Sequence, residues 1–196
     1  MPRIGAVITA AGKSSRMGSF KPLLKIGILT VAEQVVQNFH AAGISDIAIV
    51  TGSNAEELER SLAHLGLVFL RNDRYVYNEM IDSVKIGINY LKDICDKIFI
   101  TPVDVPLFTP RTVEALLKSR SNIGIPAYKG ETGHPIILDN NAIKEILGFS
   151  GDGGLRDAIA SLSLNVEHIE TGDEGMLYDI DTQADYDKIL RLHNSL

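Results

Sequence analysis

The feature that most constrains the fold is an alternation of short apolar runs with stretches of helical periodicity along the first 120 residues. The apolar runs have the length of buried strands, and helical stretches separate them. The predicted strands are Ile4–Thr9, Ile47–Thr51, Leu67–Leu70 and Ile98–Thr101, and the predicted helices are Thr30–Ala42, Asn54–Leu65, Met80–Leu91 and one that begins at Thr109-Pro110. This order predicts an α/β fold with a mainly parallel sheet covered by helices on both faces.

The pattern is less regular after residue 120. Two apolar runs, Ile123–Tyr128 and His134–Leu138, flank a polar segment with two glycines, which predicts a hairpin or an arm over a cleft. A further strand is predicted at Val166–Glu170 and a last helix at Gln183–Leu192. Because the chain contains no repeat, low-complexity tract or linker, we expect residues 1–196 to form a single domain.

Two helix starts carry a recognisable capping pattern. Asn54 is followed three residues later by Glu57, and Thr182 by Asp185. This is the spacing of a capping box, in which side chains and backbone N–H groups bond reciprocally.

Composition and charge exclude several classes of function. The 196 residues are 45% hydrophobic and 22% charged, as in soluble globular proteins, and no apolar run approaches the roughly 20 residues that span a bilayer. A formal net charge of -6 argues against general nucleic-acid binding. The single cysteine, Cys95, excludes an internal disulfide and a cysteine-based zinc site. Since no signal peptide is predicted at the N terminus, we expect a cytoplasmic protein.

The segment after the first predicted strand is rich in small and cationic residues. Between residues 1 and 32 the chain has five Lys or Arg residues and no Asp or Glu. Such a positive island on an acidic protein predicts a phosphate-binding loop, and the alternative is a solvated basic loop.

Two common phosphate-binding motifs do not fit this loop. A P-loop would need glycine five residues before Gly12, where Val7 stands, and a dinucleotide fingerprint would need glycine in place of Ser14. What remains is A-A-G-x-S-x-R-M-G followed by a lysine. In this pattern backbone N–H groups can cradle phosphate oxygens while Arg16 and Lys21 neutralise a triphosphate.

Two carboxylates near predicted element ends are candidate metal ligands. Asp104 follows the strand Ile98–Thr101, at the sheet edge where open α/β sheets bind ligands. Its carboxylate could hold Mg²⁺ against phosphates, or it could form a turn before Pro106. Asp181 could be a second metal ligand, or it could stabilise the N-terminus of the last helix.

A histidine stands between glycine and proline in Gly133-His134-Pro135. The proline biases His134 toward an extended backbone. A single histidine is more often structural or exposed than functional, and no second histidine lies at metal-binding spacing, which excludes a zinc site.

Together these segments resemble the MobA-like nucleotidyltransferase family, specifically its molybdenum cofactor cytidylyltransferase branch. The resemblance covers nearly the whole chain and implies a three-layer α/β/α, Rossmann-like nucleotidyltransferase fold. It is carried by Ala10-Ala11-Gly12, Arg16-Met17-Gly18, Lys21-Pro22-Leu23-Leu24, Met80 with Ser83-Val84-Lys85-Ile86-Gly87, Pro102-Val103-Asp104-Val105-Pro106-Leu107, Gly133-His134-Pro135, Gly151-Asp152-Gly153-Gly154 and Asp179-Ile180-Asp181-Thr182.

The resemblance implies a role for each matching residue. The nucleotide would be bound by Thr9, Ala10, Ala11, Gly12, Arg16, Lys21 and Asp104, of which Arg16, Lys21 and Asp104 would be catalytic. Mg²⁺ would be held by Asp104 and Asp181, and the acceptor by Ser83, Gly133 and His134. The stretch Ala10-Ala11-Gly12 looks like the cytidylyl-transferring members, whereas guanylyl-transferring members usually carry Ala-Gly-Gly there.

Two positions depart from the family pattern. Pro102-Val103 precede Asp104, where the family often has a glycine, and Glu79 precedes Met80, where a small residue is common. An acid at position 79 could repel an anionic acceptor.

The implied activity is Mg²⁺-dependent transfer of CMP from CTP to a phosphorylated acceptor, molybdopterin or the molybdenum cofactor, with release of pyrophosphate. Two alternatives remain open: the same chemistry with GTP or with a sugar or alcohol phosphate, and a non-catalytic protein that delivers a nucleotide or cofactor. The implied partners are the nucleotide, the acceptor and a molybdoenzyme or its chaperone, with no nucleic acid and no membrane.

Overall fold

The computed structural model of the chain, which describes residues 2–12, 17–77, 79–151 and 153–194, confirms the alternation of strands and helices. The strands are β1 (Ile4–Ala10), β2 (Lys25–Ile26), β3 (Leu29–Thr30), β4 (Asp46–Thr51), β5 (Val68–Arg71), β6 (Lys97–Pro102), β7 (Ile123–Tyr128), β8 (Glu131–Thr132), β9 (Ile136–Asp139) and β10 (Val166–Glu170). The helices are α1 (Val31–Ala41), α2 (Ala55–Leu62), α3 (Met80–Leu91), α4 (Pro110–Leu117), α5 (Asn140–Gly148), α6 (Leu155–Ser161) and α7 (Gln183–His193). Each predicted element is present, with small shifts of its bounds.

The central sheet is mainly parallel, as predicted. Its strands follow the order β10-β7-β9-β6-β1-β4-β5, and β8 pairs with β7. Strands β6, β1, β4 and β5 are parallel neighbours, whereas β9 runs antiparallel to both β6 and β7. The carboxyl ends of β1 and β6 therefore meet at one edge of the sheet.

Helices cover both faces of this sheet because successive strand residues point to opposite sides. In β1, Ile8 packs with Phe39 of α1, whereas Val7 packs with Ile88 of α3. Gly87 allows α3 to approach β1 closely, since a Cβ at this position would lie 2.3 Å from Val7 Cγ1. The result is the three-layer α/β/α arrangement that the sequence predicted.

A smaller apolar cluster joins the C-terminal helix to the hairpin formed by β2 and β3. Its buried members are Ile26, Val31, Leu107, Ile180 and Ile189. The Tyr186 hydroxyl also donates to the Lys25 carbonyl at 2.5 Å. Through these contacts α7 packs next to the segment that carries Lys21.

One of the two predicted capping boxes is confirmed and the other is wrong. Thr182 accepts from the Asp185 N–H at 3.3 Å, and the Asp185 carboxylate accepts from the Thr182 N–H at 2.7 Å. Asn54 precedes α2 but makes no side-chain cap, because its backbone is left-handed with φ of 52°. Spacing alone did not reveal this backbone conformation.

The polar segment between β7 and β9 forms the predicted hairpin. Lys129 and Gly130 both have positive φ, 51° and 85°, as in the tight turns that join antiparallel strands. The strand predicted from His134 begins two residues later, at Ile136, because the His134 N–H donates to the Met176 carbonyl rather than to the sheet.

Among the described residues, no helix has the length and apolar character needed to cross a membrane.

Candidate active site

The candidate site lies where β1 and β6 end side by side. Thr9 of β1 is opposite Pro102 of β6, and the Val103 N–H donates to the Thr9 carbonyl at 3.0 Å. Residues 10–12 and Asp104 follow directly, so they meet at the carboxyl edge of the sheet. This is the edge at which open α/β sheets bind ligands.

Three charged side chains that are far apart in the sequence meet at this edge. Lys21 Nζ lies 2.8 Å from Asp181 Oδ1 and 3.3 Å from Asp104 Oδ2. The Lys21 side chain is only 12% exposed, compared with 25% for Asp104 and 43% for Asp181. The structure thus brings both predicted metal ligands to one point, next to the predicted phosphate-binding lysine.

Main-chain contacts hold residue 181 in this place. The Ile180 N–H donates to the Asp104 carbonyl at 3.0 Å, and the Ile180 side chain is fully buried. The Asp181 N–H donates to Asp185 Oδ2 at 3.2 Å, at the start of α7. The second carboxylate therefore depends on the C-terminal helix for its position.

Burial and the neighbouring opposite charge shift the pKa values of Lys21 and Asp104 in opposite directions. Burial alone would lower the pKa of Lys21, but the hydrogen bond that Lys21 donates to Asp181 and the charges of both carboxylates raise this pKa above its usual value. Burial raises the pKa of Asp104, and this effect is larger than the lowering caused by the charge of Lys21. The charge of Asp179 also raises the pKa of Asp104. Additional positive charge would therefore stabilise the ionised form of this partly desolvated carboxylate.

A small cavity of about 220 Å³ opens beside the predicted phosphate-binding loop. Its walls include the predicted nucleotide-binding residues Thr9, Ala10, Ala11, Gly12, Lys21 and Asp104. Asn72, Tyr75, Glu79, Met80 and Ser83 also line it. The predicted Arg16, together with Lys13, falls outside the described residues.

Ser83 lies in this small cavity rather than in the larger one that adjoins it. Its side chain is 3% exposed, and its Oγ accepts from Asn72 Nδ2 at 3.0 Å. The family resemblance implies a role for Ser83 in acceptor binding, and in the structure Ser83 lines the small cavity together with the predicted nucleotide-binding residues. Glu79, which also lines this cavity, is exposed, and its N–H donates to Asp82 Oδ2 at 3.1 Å.

A second cavity of about 870 Å³ adjoins the first and shares Met80, Pro102 and Asp104 with it. The predicted acceptor residues Gly133 and His134 line it. Most of its remaining wall is apolar, and its other polar or charged lining residues are Thr132, Arg156, His168 and Asp179. Because Asp104 lies at the junction, ligands in the two cavities would meet at this carboxylate.

Gly133 and His134 are packed tightly against the segment before α7. A Cβ on Gly133 would lie 2.3 Å from the Met176 carbonyl oxygen, so a larger residue does not fit there. The His134 N–H donates to that same carbonyl at 3.1 Å. Burial is the main reason why the pKa of the His134 imidazole falls to about 4. The charge of Arg156 also lowers this pKa, whereas a backbone hydrogen bond with Ile100 raises it. The ring is therefore neutral at physiological pH.

Asn72 and Arg156 are among the cavity-lining residues that were not predicted from the sequence. Asn72 directly follows β5, so the rule that ligands bind at the carboxyl ends of parallel strands could have found it. Arg156 lies in the first turn of α6, and no local pattern indicates that this helix faces the larger cavity.

The donor atoms present fit a magnesium ion that also binds phosphate. The carboxylates of Asp104 and Asp181 both contact Lys21 Nζ, so they lie close enough together to bind one cation. Among the described residues, no group of three or more His, Cys, Asp or Glu could hold a metal ion. Mg²⁺ commonly takes one or two carboxylates and completes its shell with phosphate oxygens and water.

Two similar proteins of named activity match almost the full length of the chain. The molybdenum cofactor cytidylyltransferase of Escherichia coli strain K12 is 28% identical over 95% of both chains. A probable molybdenum cofactor guanylyltransferase of Carboxydothermus hydrogenoformans is 25% identical over 98% of both chains.

Solved structures share the fold over the same length. A nucleotidyl transferase from a Methanothermobacter species superimposes with a TM-score of 0.88 at 25% identity, over 98% of both chains. A Mycobacterium tuberculosis protein solved in complex with manganese has a TM-score of 0.81 at 21% identity, over 96% of this chain and 98% of its own.

The sequence pattern of the MobA-like NTP transferase domain matches residues 6–168, which include most of β1, the small residues that follow it in the sequence and Asp104. Nucleotidyltransferase activity and the α/β nucleotidyltransferase fold are common to the similar proteins. The chain therefore belongs to the MobA-like NTP transferase family and is a nucleotidyltransferase.

Proposed function

We propose that this enzyme transfers CMP from CTP to a phosphorylated acceptor, molybdopterin or the molybdenum cofactor, and releases pyrophosphate. The observation that carries the proposal is the convergence of Lys21, Asp104 and Asp181 at the junction of two cavities. A two-substrate transfer needs two adjoining sites with charge neutralisation where they meet.

The smaller cavity is the proposed nucleotide site. Residues 9–12 bring small side chains and main chain to its wall, and Lys21 brings a cation. Lys21 would bind phosphate oxygens of the triphosphate, and we propose the same role for Arg16. Ser83 and Asn72 supply uncharged polar atoms to the wall, which suit a nucleobase better than a phosphate.

Asp104 and Asp181 are the proposed magnesium ligands. When bound, Mg²⁺ would neutralise phosphate oxygens and stabilise the charge that develops on them. The manganese complex of the Mycobacterium tuberculosis protein supports a divalent cation in this fold. Asp104 would thereby be a metal ligand and a wall of both cavities at once.

The proposed reaction is a single displacement at phosphorus. An oxygen of the acceptor phosphate forms a bond to the α-phosphorus of CTP, and the bond from that phosphorus to pyrophosphate breaks. A phosphate monoester is largely dianionic at neutral pH, so the protein need not supply a general base. Lys21 would instead position the leaving pyrophosphate and neutralise its charge.

CTP is the proposed donor, and GTP is the second candidate. Ala11 stands where guanylyl-transferring members usually have glycine, and the cytidylyltransferase relative has the higher identity. The guanylyltransferase relative is only slightly less similar, which is the observation that favours GTP as the alternative.

We also propose a cytoplasmic location and a molybdoenzyme or its chaperone as the recipient of the product. The free and buried Cys95 is consistent with a reducing compartment.

Pyrophosphate release tests the proposed function. The purified protein would be incubated with Mg²⁺, molybdopterin and one of CTP, GTP or ATP. We expect release with CTP at least about tenfold faster than with GTP, a difference of about 1.4 kcal/mol in transition-state stabilisation. Faster release with GTP would reverse the donor assignment.

Two controls make this result specific. Omission of molybdopterin should abolish release, which separates transfer from hydrolysis of CTP. Release with a simple sugar phosphate in place of molybdopterin, at equal or higher rate, would contradict the proposed acceptor.

A further inference from the structure

One carboxylate links two segments of the chain that are far apart in the sequence. Asp173 Oδ2 accepts from the Thr109 N–H at 2.7 Å, from Thr109 Oγ1 at 2.9 Å and from Thr112 Oγ1 at 2.5 Å. Its other oxygen, Oδ1, accepts from the Gly175 N–H at 3.0 Å. A single side chain therefore joins the start of α4 to the short turn that follows Asp173.

The two linked segments, residues 104–109 and 173–181, each carry one of the proposed magnesium ligands. Asp104 begins the first segment, and Asp181 ends the second. The segments are also joined at this end, because the Ile180 N–H donates to the Asp104 carbonyl at 3.0 Å. The distance between the two carboxylates thus depends on how the segments lie against each other.

Between these two links, the segments are antiparallel and in close contact. Gly175 lies against Leu107, and a Cβ on this glycine would collide with the Leu107 carbonyl. From the end of the first segment back to its start, the contacting residues of the second are Asp173, Gly175 and Ile180, in that order. A movement of the second segment at its Asp173 end would therefore shift the end that carries the second carboxylate.

The hydrogen bonds of Asp173 require a carboxylate. Four donors surround it, so both oxygens must be acceptors. An asparagine would present its NH₂ group either to the donors of α4 or to the Gly175 N–H, and one of the two links would be lost. Asp173 lies in neither described cavity wall, so its role differs from contact with a substrate.

We propose that Asp173 positions the two carboxylates of the site: by holding the second segment against the first, it keeps Asp181 beside Asp104 and so sets the affinity of the site for the divalent cation that accompanies the nucleotide. This inference rests on the proposed function, in which both carboxylates bind Mg²⁺, and deepens it by assigning a role to a residue outside both cavities.

Binding of the Mn²⁺–CTP complex, followed through water proton relaxation, tests the proposal with a readout other than turnover. We expect Asp173→Asn to weaken binding about tenfold, the effect of a lost hydrogen bond to a charged group. In pyrophosphate release, the Mg²⁺ concentration for half-maximal rate should rise by a similar factor, whereas the rate at saturating Mg²⁺ should stay within about threefold. A smaller folded fraction would instead lower the rate at every Mg²⁺ concentration.

Amide hydrogen exchange of Ile180 reports on the pairing of the segments without metal or nucleotide. The Ile180 N–H exchanges when its bond to the Asp104 carbonyl opens. Because Asp173→Asn weakens the other end of the pairing, it should accelerate this exchange about tenfold.

Asp139→Asn is the matched control for both measurements. Asp139 accepts three hydrogen bonds around the start of α5 and, like Asp173, lies in neither described cavity wall. Its replacement should reduce stability in urea unfolding by a similar amount, with Mn²⁺–CTP affinity and Ile180 exchange within about twofold of the wild type.

Two variants of Thr112 test the same link from the side of α4. Thr112 is fully buried, and Thr112→Val removes its hydroxyl with little change of shape. Thr112→Val should weaken Mn²⁺–CTP binding about threefold to tenfold, and Thr112→Ser, which keeps the hydroxyl, should restore affinity to within about twofold of the wild type. This pair decides the question even if Asp173→Asn does not fold.

The outcomes distinguish this proposal from the proposed function. Wild-type Mn²⁺–CTP affinity in Asp173→Asn or in Thr112→Val would overturn the positioning role, and so would equal Ile180 exchange in Asp173→Asn and Asp139→Asn. A wild-type protein that binds no Mn²⁺–CTP would overturn the metal assignment of the proposed function, and Ile180 exchange would then still decide whether Asp173 holds the second segment in place.

Discussion

At the scale of single residues, the site consists of side chains whose environments differ sharply although they lie close together. Lys21 is nearly buried between two carboxylates, whereas Asp181 remains almost half exposed. His134 is held neutral by burial a short distance along the same edge. These differences follow from neighbours contributed by other elements, and they lead to two predictions about individual residues.

Asp104→Asn should abolish turnover and leave the fold intact. The amide keeps the size of the side chain but removes the charge that would hold Mg²⁺, so we expect kcat to fall by at least about a hundredfold. Steady-state pyrophosphate release measures kcat, and thermal unfolding checks the fold. Glu114→Gln, a change of an exposed acid on α4 that lines neither cavity, is the control and should retain kcat. Near wild-type turnover of Asp104→Asn would remove this residue from the mechanism.

The neutral state of His134 predicts a loss of stability in acid. Its pKa is about 4 in the folded protein and about 6.5 in the unfolded chain. The unfolded state therefore binds more protons between these values, and the free energy of unfolding decreases as the pH falls from about 6.5 toward 4. Urea unfolding at pH 7 and at pH 4.5 should show that this single group contributes about 2 to 3 kcal/mol of the decrease.

The variant His134→Asn provides the comparison for this pH effect. It lacks the titrating ring, so its loss of stability between pH 7 and pH 4.5 should be smaller than that of the wild type. Identical pH dependence in the two proteins would show that His134 is not held neutral by the fold.

At the scale of elements, the position of α3 determines the shape of the small cavity. Its first turn carries Met80 and Ser83 to the cavity wall, and Gly87 one turn later permits close packing on β1. Gly87, which lines neither cavity, thus fixes the position of α3 against the sheet. Helix packing and cavity shape are therefore linked through one glycine.

Gly87→Ala should destabilise the protein by about 1 to 3 kcal/mol, because the new Cβ would lie 2.3 Å from Val7 Cγ1 and would force α3 away from β1. Chemical denaturation measures the change. Gly148→Ala is a matched control, since a Cβ on that residue, at the end of α5, meets no atom within 4 Å. The control should be neutral or slightly stabilising. Equal stability of the two variants would contradict the role given to Gly87.

At the scale of the whole molecule, the C-terminal segment completes a site that the central strands begin. The family match ends at residue 168, whereas Asp181 and α7 follow it. The small apolar cluster joins α7, the β2–β3 hairpin and Ile180, and Ile180 is also bonded to the Asp104 carbonyl. The geometry of Lys21 and both carboxylates therefore depends on contacts between the two ends of the chain.

Ile189→Ala tests this dependence. Ile189 is 1% exposed in the small cluster, so its truncation should cost about 2 to 4 kcal/mol of unfolding free energy. We also expect a lower kcat, because Lys21 and Asp181 would be less firmly placed. Val113→Ala, in the separate cluster that contains Phe39 and Phe99, is the control and should lose stability with kcat retained. Equal effects of both variants on kcat would contradict a specific role for α7.

The sequence by itself determined the order of the elements and the mainly parallel sheet, and it identified the candidate carboxylates. These follow from local periodicity and from the rule that ligands bind at the carboxyl ends of parallel strands. The left-handed backbone of Asn54 and the start of β9 at Ile136 were not predictable, because nonlocal hydrogen bonds and turn geometry decide them. Only the tertiary structure brought Lys21, Asp104 and Asp181 together and placed Ser83 in the smaller cavity. Lys21 lies 83 positions from Asp104 and 160 positions from Asp181. Residues so far apart in the sequence meet only through chain packing, and local sequence patterns contain no information about such contacts.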